Sequence, residues 1–158
     1  MRIDIAKLLP VIRTYRGDDG DAYMTRITWG LNRLHIFHRG DGDKDPHDHP
    51  WAFTTFPLTS YVEEVTECVD GTWIRRREVV RAFRIHRRPA TYLHRVLGRW
   101  SGTGTEVAPL ARIVTLVRRS GDDREWGFLR LRGPNACWTP WRDYVFSGGK
   151  DAPCGPDA

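Results

Sequence analysis

Two histidines one residue apart lie in Pro46-His47-Asp48-His49-Pro50-Trp51, and a third closes Pro89-Ala90-Thr91-Tyr92-Leu93-His94. Along an extended chain, side chains two apart point to one face, so His47 and His49 project together while Asp48 faces away. Two imidazoles on one side of a strand make half of a metal site. His94, at the end of a second apolar-rich segment, is the natural third ligand. Three neutral imidazoles suit Fe, Zn, Cu, Ni or Mn and leave positions open for water or substrate. The plainer alternative makes His47 and His49 surface-loop residues, since Gly40-Asp41-Gly42-Asp43-Lys44-Asp45 upstream is a solvated turn. His94 would then be a core histidine bonded to a backbone carbonyl.

Other residues gain meaning from their relation to this trio. His47, His49, Trp51 and Phe53 share parity, which predicts a dry, aromatic-walled pocket around the ion, where electrostatics are strengthened. Tyr92 shares a face with His94 and Val96, so it is the best-placed phenol to donate a proton or hydrogen bond to substrate. It serves equally well as a core tyrosine. His35 shares a strand face with Phe37 and becomes an acid–base or substrate-contacting residue if that face turns inward; otherwise it is structural. An inward arginine at Arg112 or Arg118 would clamp a substrate carboxylate, although parity alone leaves both directions open.

The elements that must position these residues are short. Val11 to Arg16 reads as a strand, Gly17 to Asp21 as a turn, and Tyr23 to Trp29 and Leu31 to His38 as β-segments around Gly30. Trp51 to Glu64 is long, β-branched and aromatic, and predicts one or two strands bent near Pro57. Asp70-Gly71 marks a hairpin before a strand from Trp73 to Arg84, and Arg88-Pro89-Ala90 turns into the His94 segment. A strand at Ala111 to Arg118 and another near Trp126 to Leu129 follow. Ile3 to Leu9 predicts a short N-terminal helix stopped by Pro10. This is an all-β pattern of short strands without a long amphipathic helix. It predicts an antiparallel jelly-roll barrel spanning residues 1–146 as one domain, and a disordered Gly/Pro/Asp-rich tail at 147–158.

At 158 residues, 40% hydrophobic and 28% charged, the chain has the composition of one ordinary globular domain. No apolar run approaches a membrane span, and Asp4 and Lys7 interrupt the apolar core that a secretory signal would need. Three cysteines at unrelated spacings predict no disulfide framework and a cytoplasmic setting. The net charge of +5 is largely arginine, with a stretch running through Arg75-Arg76-Arg77 to Arg88. That stretch reads better as a solvent-facing strand than as a nucleic-acid interface, because no nucleic-acid-binding motif accompanies it.

On these residues the sequence resembles the cupin superfamily. Its first motif places His-x-His five residues after Gly; here His47 and His49 match, and Gly40 or Gly42 lies within one residue of the glycine. Its second motif, Pro-x-Gly followed two residues later by His, matches in spacing at Pro89, Thr91 and His94. The motif glutamate is missing, since Phe53 and Thr54 hold its two places, and Glu63 and Glu64 lie too far along. The order of short blocks, including Leu34-His35-Ile36-Phe37 and Arg124-Glu125-Trp126-Gly127-Phe128, is similar to small stand-alone cupins of bacteria and their phages. The resemblance implies a jelly-roll barrel and one divalent transition metal on three histidines, Fe(II) first, with Zn, Ni or Mn as alternatives. Thiol dioxygenases resemble this site in having three histidines and no carboxylate ligand. The expected function is therefore a non-haem Fe(II) dioxygenase acting with O2 on a small molecule. In that reading Tyr92 and His35 are the acid–base candidates, and Trp51 and Phe53 wall the pocket. The alternatives are a metal-dependent isomerase or lyase, or a non-catalytic ligand-binding cupin. The resemblance also suggests a homodimer.

Overall fold

The computed structural model describes residues 9–17, 19–132 and 135–154. Eleven strands and one helix appear among them: β1 (Val11–Arg16), β2 (Ala22–Trp29), β3 (Asn32–Phe37), β4 (Phe53–Pro57), β5 (Tyr61–Val69), β6 (Thr72–Val80), β7 (His86–Arg88), β8 (Leu93–Arg99), β9 (Ile113–Arg119), β10 (Gly127–Arg132), β11 (Asn135–Pro140) and α1 (Trp141–Phe146). The N-terminal helix expected at Ile3 to Leu9 lies almost wholly outside the described residues.

Six strands form one antiparallel sheet in the order β1-β2-β3-β9-β4-β7. The opposing layer has β6-β5-β8 and β10-β11. These two pieces are stitched together by the histidine segment itself: His47 makes isolated bridges to His94 of β8 and to Phe128 of β10. The result is an all-β, antiparallel jelly-roll sandwich, as the alternating pattern predicts. Asp70 and Gly71 both carry positive φ (49° and 77°), which gives the β5–β6 hairpin the tight turn that their side chains tolerate. Tyr61, Val80 and Val96 of one layer pack with Ile113 and Phe37 of the other. Each such side chain contributes roughly 1.5–3 kcal/mol of hydrophobic stabilisation.

The C-terminal region departs from expectation in two ways. α1 packs against β10 and β11, stacking Tyr144 on Phe128 (centroids 3.9 Å apart) and Trp141 on Trp126 (5.6 Å). The segment read as a disordered tail makes specific contacts as far as it is described: Gly149 N–H donates to Asp143 C=O at 2.9 Å, and Arg132 donates to the Lys150 carbonyl at 3.3 Å. Cys137 and Cys154 are joined as a disulfide, which corrects the expectation that the cysteines stay unlinked. Sequence spacing hid this pair because the turn after α1 brings positions 17 apart together. Cys68 remains free and exposed.

Candidate metal centre

His47 and His49 come from a segment that is extended without belonging to a regular strand. His47 and His94 exchange both backbone hydrogen bonds, at 3.0 and 3.1 Å, which sets the two imidazoles side by side. Asp48 points the other way, as parity requires. Its buried carboxylate accepts from the Gly127 amide (2.7 Å), Arg124 (2.7 Å) and the Trp138 indole (3.2 Å), docking the segment onto β10. Asp45 does the same upstream, taking both arms of Arg132 at 2.9 Å and the Tyr144 hydroxyl at 3.1 Å. Gly40 belongs to the same clamp: a Cβ there would sit 2.2 Å from the Leu97 carbonyl oxygen, so only glycine permits the approach to β8.

The ring nitrogens of His47, His49 and His94 lie within 4.8 Å of one another. The Nε2 atoms of His49 and His94 are 2.9 Å apart. That is about the separation of two nitrogens bound at right angles to one ion at roughly 2.1 Å. Burial pushes His47 below the usual imidazole range, and pushes His49 well below it with help from the neighbouring His94 and His47. Both are thereby held neutral, the form that ligates.

Glu63 completes the arrangement. It is 1% exposed and accepts from His94 Nδ1 at 2.8 Å, Tyr92 Oη at 2.6 Å and Arg88 Nη2 at 2.9 Å. Burial alone would raise its pKa, but His94, Tyr92 and Arg88 outweigh it and hold the carboxyl at about 2. With Nδ1–H fixed on the carboxylate, the lone pair of His94 Nε2 is turned toward the other imidazoles. This is the carboxylate–histidine pairing that orients metal-ligating imidazoles and raises their basicity. The donor set therefore fits a divalent metal. Sequence reasoning weighed Glu63 only as a direct ligand and found it too distant. The missed signal was its parity with Tyr61 and Val65, since a carboxylate on an apolar inner face demands partners.

No protein-family model and no curated protein matches the chain. Among solved structures it is similar to Fe(II) HppE, with a TM-score of 0.50, 6% identity, 76% of this chain and 59% of that one covered. The chain thus spans about three-fifths of that relative. It is also similar to the CENP-C cupin domain of Drosophila melanogaster (TM-score 0.45, 9% identity, 70% and 75% covered). A protein of unknown function from Acinetobacter sp. ADP1 gives 0.43, 11% identity, and 75% and 98%. At these identities the likeness is one of fold. The chain has the cupin fold.

Around the three histidines the aromatic wall stands where parity put it. The Trp51 ring stacks on His49 at 5.7 Å and the Phe53 ring meets it edge-on at 4.5 Å. His35 points inward and is buried, accepting from Arg26 Nε at 3.1 Å; burial, with Arg26 and Arg33 nearby, lowers its pKa to about 3. The Tyr92 hydroxyl is turned onto Glu63, and burial with the adjacent carboxylate raises its pKa. Arg112 is exposed just before β9, and Arg118 lies on the outer face, donating to Asn32 at 3.2 Å. Neither is brought to the histidines. On β2, β3 and β9, Arg26, Arg33 and Arg119 do face inward, as Arg88 on β7 does in reaching Glu63. Arg33 lies over the Trp51 ring at 5.0 Å. In the basic stretch, Arg75 pairs with Glu64 and Arg76 with Glu67 and Glu78, as a solvated strand would. No helix among the described residues is long and apolar enough to cross a membrane.

Proposed function

We propose that this protein is a mononuclear non-haem Fe(II) cupin enzyme, a dioxygenase that acts on a small molecule. The observation that carries the reading is the convergence of three imidazoles, one anchored through Nδ1 by buried Glu63, with no carboxylate in the donor set. Iron held this way supplies O2 activation and leaves positions for a chelating substrate. The chain's own part is to hold His47, His49 and His94 neutral and convergent and to keep bulk water off with Trp51 and Phe53. Glu63 and Tyr92 act as positioning residues, acting through His94.

The same geometry supports the oxidative reading over an acid–base isomerase or lyase. His35 stays neutral down to about pH 3, and the Tyr92 proton is raised and committed to Glu63. Neither is poised to exchange a proton near neutrality, as general acid–base catalysis requires. The test is elemental analysis of tag-free protein beside a His47→Ala/His49→Ala variant, followed by O2 uptake with Fe(II) and a substrate panel. About one equivalent of metal in the wild type alone, and uptake that His94→Ala abolishes, is the expected result. Metal bound equally by both proteins refutes the ligand set. Turnover without O2 consumption replaces the dioxygenase by another metal-dependent activity.

A further inference from the structure

The inner face of the six-stranded sheet carries more cationic charge than the protein neutralises. Arg26, Arg33 and Arg119 share it, on β2, β3 and β9. Arg119 donates to Asp123 at 2.5 Å, but that carboxylate is 65% exposed. Arg26 spends its donors on His35 (3.1 Å) and the Tyr15 hydroxyl (3.1 Å), both neutral. Arg33 makes one bond, to the Leu31 carbonyl at 3.3 Å. Among the described residues neither Arg26 nor Arg33 has a carboxylate partner. The Nε atoms of Arg33 and Arg119 are both buried and without a hydrogen-bond partner.

These groups are neighbours. Arg33 pairs with Val117, two residues before Arg119, and Arg119 pairs in turn with Phe53. Arg33 is disfavoured as a cation by its burial and by the charges of Arg26 and Arg119. Unpaired donors among like charges are costly to bury, and a bound oxyanion would offset that cost. The location matters as much as the charge. Arg33 covers Trp51, which stacks on His49, and Phe53 touches both His49 and the groove of about 480 Å³ that Arg88, Arg118 and Arg119 also line.

We propose that Arg33 and Arg119, with Arg26 behind them, seat an oxyanion of the substrate, a carboxylate or phosphate group, beside the three histidines. The substrate class is thus a small anionic molecule whose reactive end reaches the metal. This rests on the metal-enzyme reading for the second half only; the anion seat is a property of the arginines.

The test uses inorganic phosphate and acetate as probes, titrated calorimetrically into metal-free protein at constant ionic strength, and then into Co(II)-loaded protein followed by visible absorption. Wild type, Arg33→Gln, Arg119→Gln and Arg112→Gln are compared; the last removes the same charge from an exposed position just before β9, outside the groove. Arg33→Gln and Arg119→Gln should each weaken one or both anions by about tenfold, the loss of one charge-assisted contact, while Arg112→Gln binds as wild type. Preference between phosphate and acetate names the group. Equal losses in all three variants, or no anion binding by the wild type, would overturn the proposal. If Co(II) fails to load yet anion binding still depends on Arg33, the metal reading falls and the seat stands. If Co(II) loads and responds to imidazole while phosphate and acetate leave both signals unchanged, the seat falls and the metal stands.

Discussion

Glu63→Gln is the substitution that most sharply separates a built metal centre from three histidines that merely pack together. The amide keeps the shape and one acceptor but loses the charge that His94, Tyr92 and Arg88 share. Arg88 is left half-buried without its counter-charge; its side chain is 20% exposed, so the loss falls toward the lower end of the 3–5 kcal/mol typical of broken buried pairs. The depression of the carboxyl from 4.5 to about 2 gives the same answer, about 3 kcal/mol at neutral pH. Urea unfolding of metal-free protein should show that deficit. Tyr92→Phe, which removes one hydrogen bond of the three, should lose only about 1 kcal/mol. Metal affinity, measured by competition with a chromogenic chelator, should fall about 10–100-fold in Glu63→Gln because His94 Nε2 is no longer oriented or made more basic. A variant that keeps its metal affinity within twofold, whatever its stability, would refute the claim that Glu63 acts on the metal through His94.

Burial holds His35 neutral in the folded protein down to about pH 3, against 6.5 when exposed. The unfolded chain therefore binds a proton that the native one refuses; the stability is fully present above pH 6.5 and declines as pH falls toward 3, by about 2 kcal/mol at pH 5. Urea midpoints of wild type and His35→Phe across that window should converge on acidification. Gly40→Ala forces a Cβ into the Leu97 carbonyl, so the clamp must open; expected is a loss of a few kcal/mol in thermal unfolding and weaker metal retention. Cys137→Ser removes a link closing a 17-residue separation and should lower stability under oxidising conditions by about 3 kcal/mol, with no difference from wild type in reductant.

The strands were legible because one face of each is buried, which writes a two-residue period into Tyr61, Glu63 and Val65 or Ile113, Thr115 and Val117. The same period placed His35 with Phe37, and His49 with Phe53. It could not say which way the two arginines flanking β9's outer set face, because Val114 and Leu116 are as apolar as Ile113 and Val117 on the other side. The metal ligands were legible through local spacing. Their partners were not, because Glu63 reaches His94 across a β5–β8 pairing that a register shift interrupts between Val62 and Glu63. Nor could spacing pair Arg33 on β3 with Trp51, or Cys137 with Cys154, since both contacts depend on how elements distant in sequence pack.

The placement of the acidic residues shows how an irregular segment can carry two ligands rigidly. A loop holding His47 and His49 would lose affinity to its own motion, since ligands must keep their geometry to within a fraction of an ångström. Here the chain from Gly40 to His49 is pinned at successive points that a strand would supply by its ladder. Asp41 accepts from the Val96 amide at 2.6 Å and from the Tyr23 hydroxyl, Asp45 takes Arg132 and Tyr144, and Asp48 takes the Gly127 amide, Arg124 and Trp138. The run Gly40-Asp41-Gly42-Asp43-Lys44-Asp45, which as bare sequence suggests a solvated turn, is thus part of what makes His47 and His49 a site. Asp45 and Asp48 turn away from the histidines toward β10 and its neighbours, while Asp41 sits 4.0 Å from His47 Nδ1. Removing Asp45 or Asp48 should loosen the ligands without touching them.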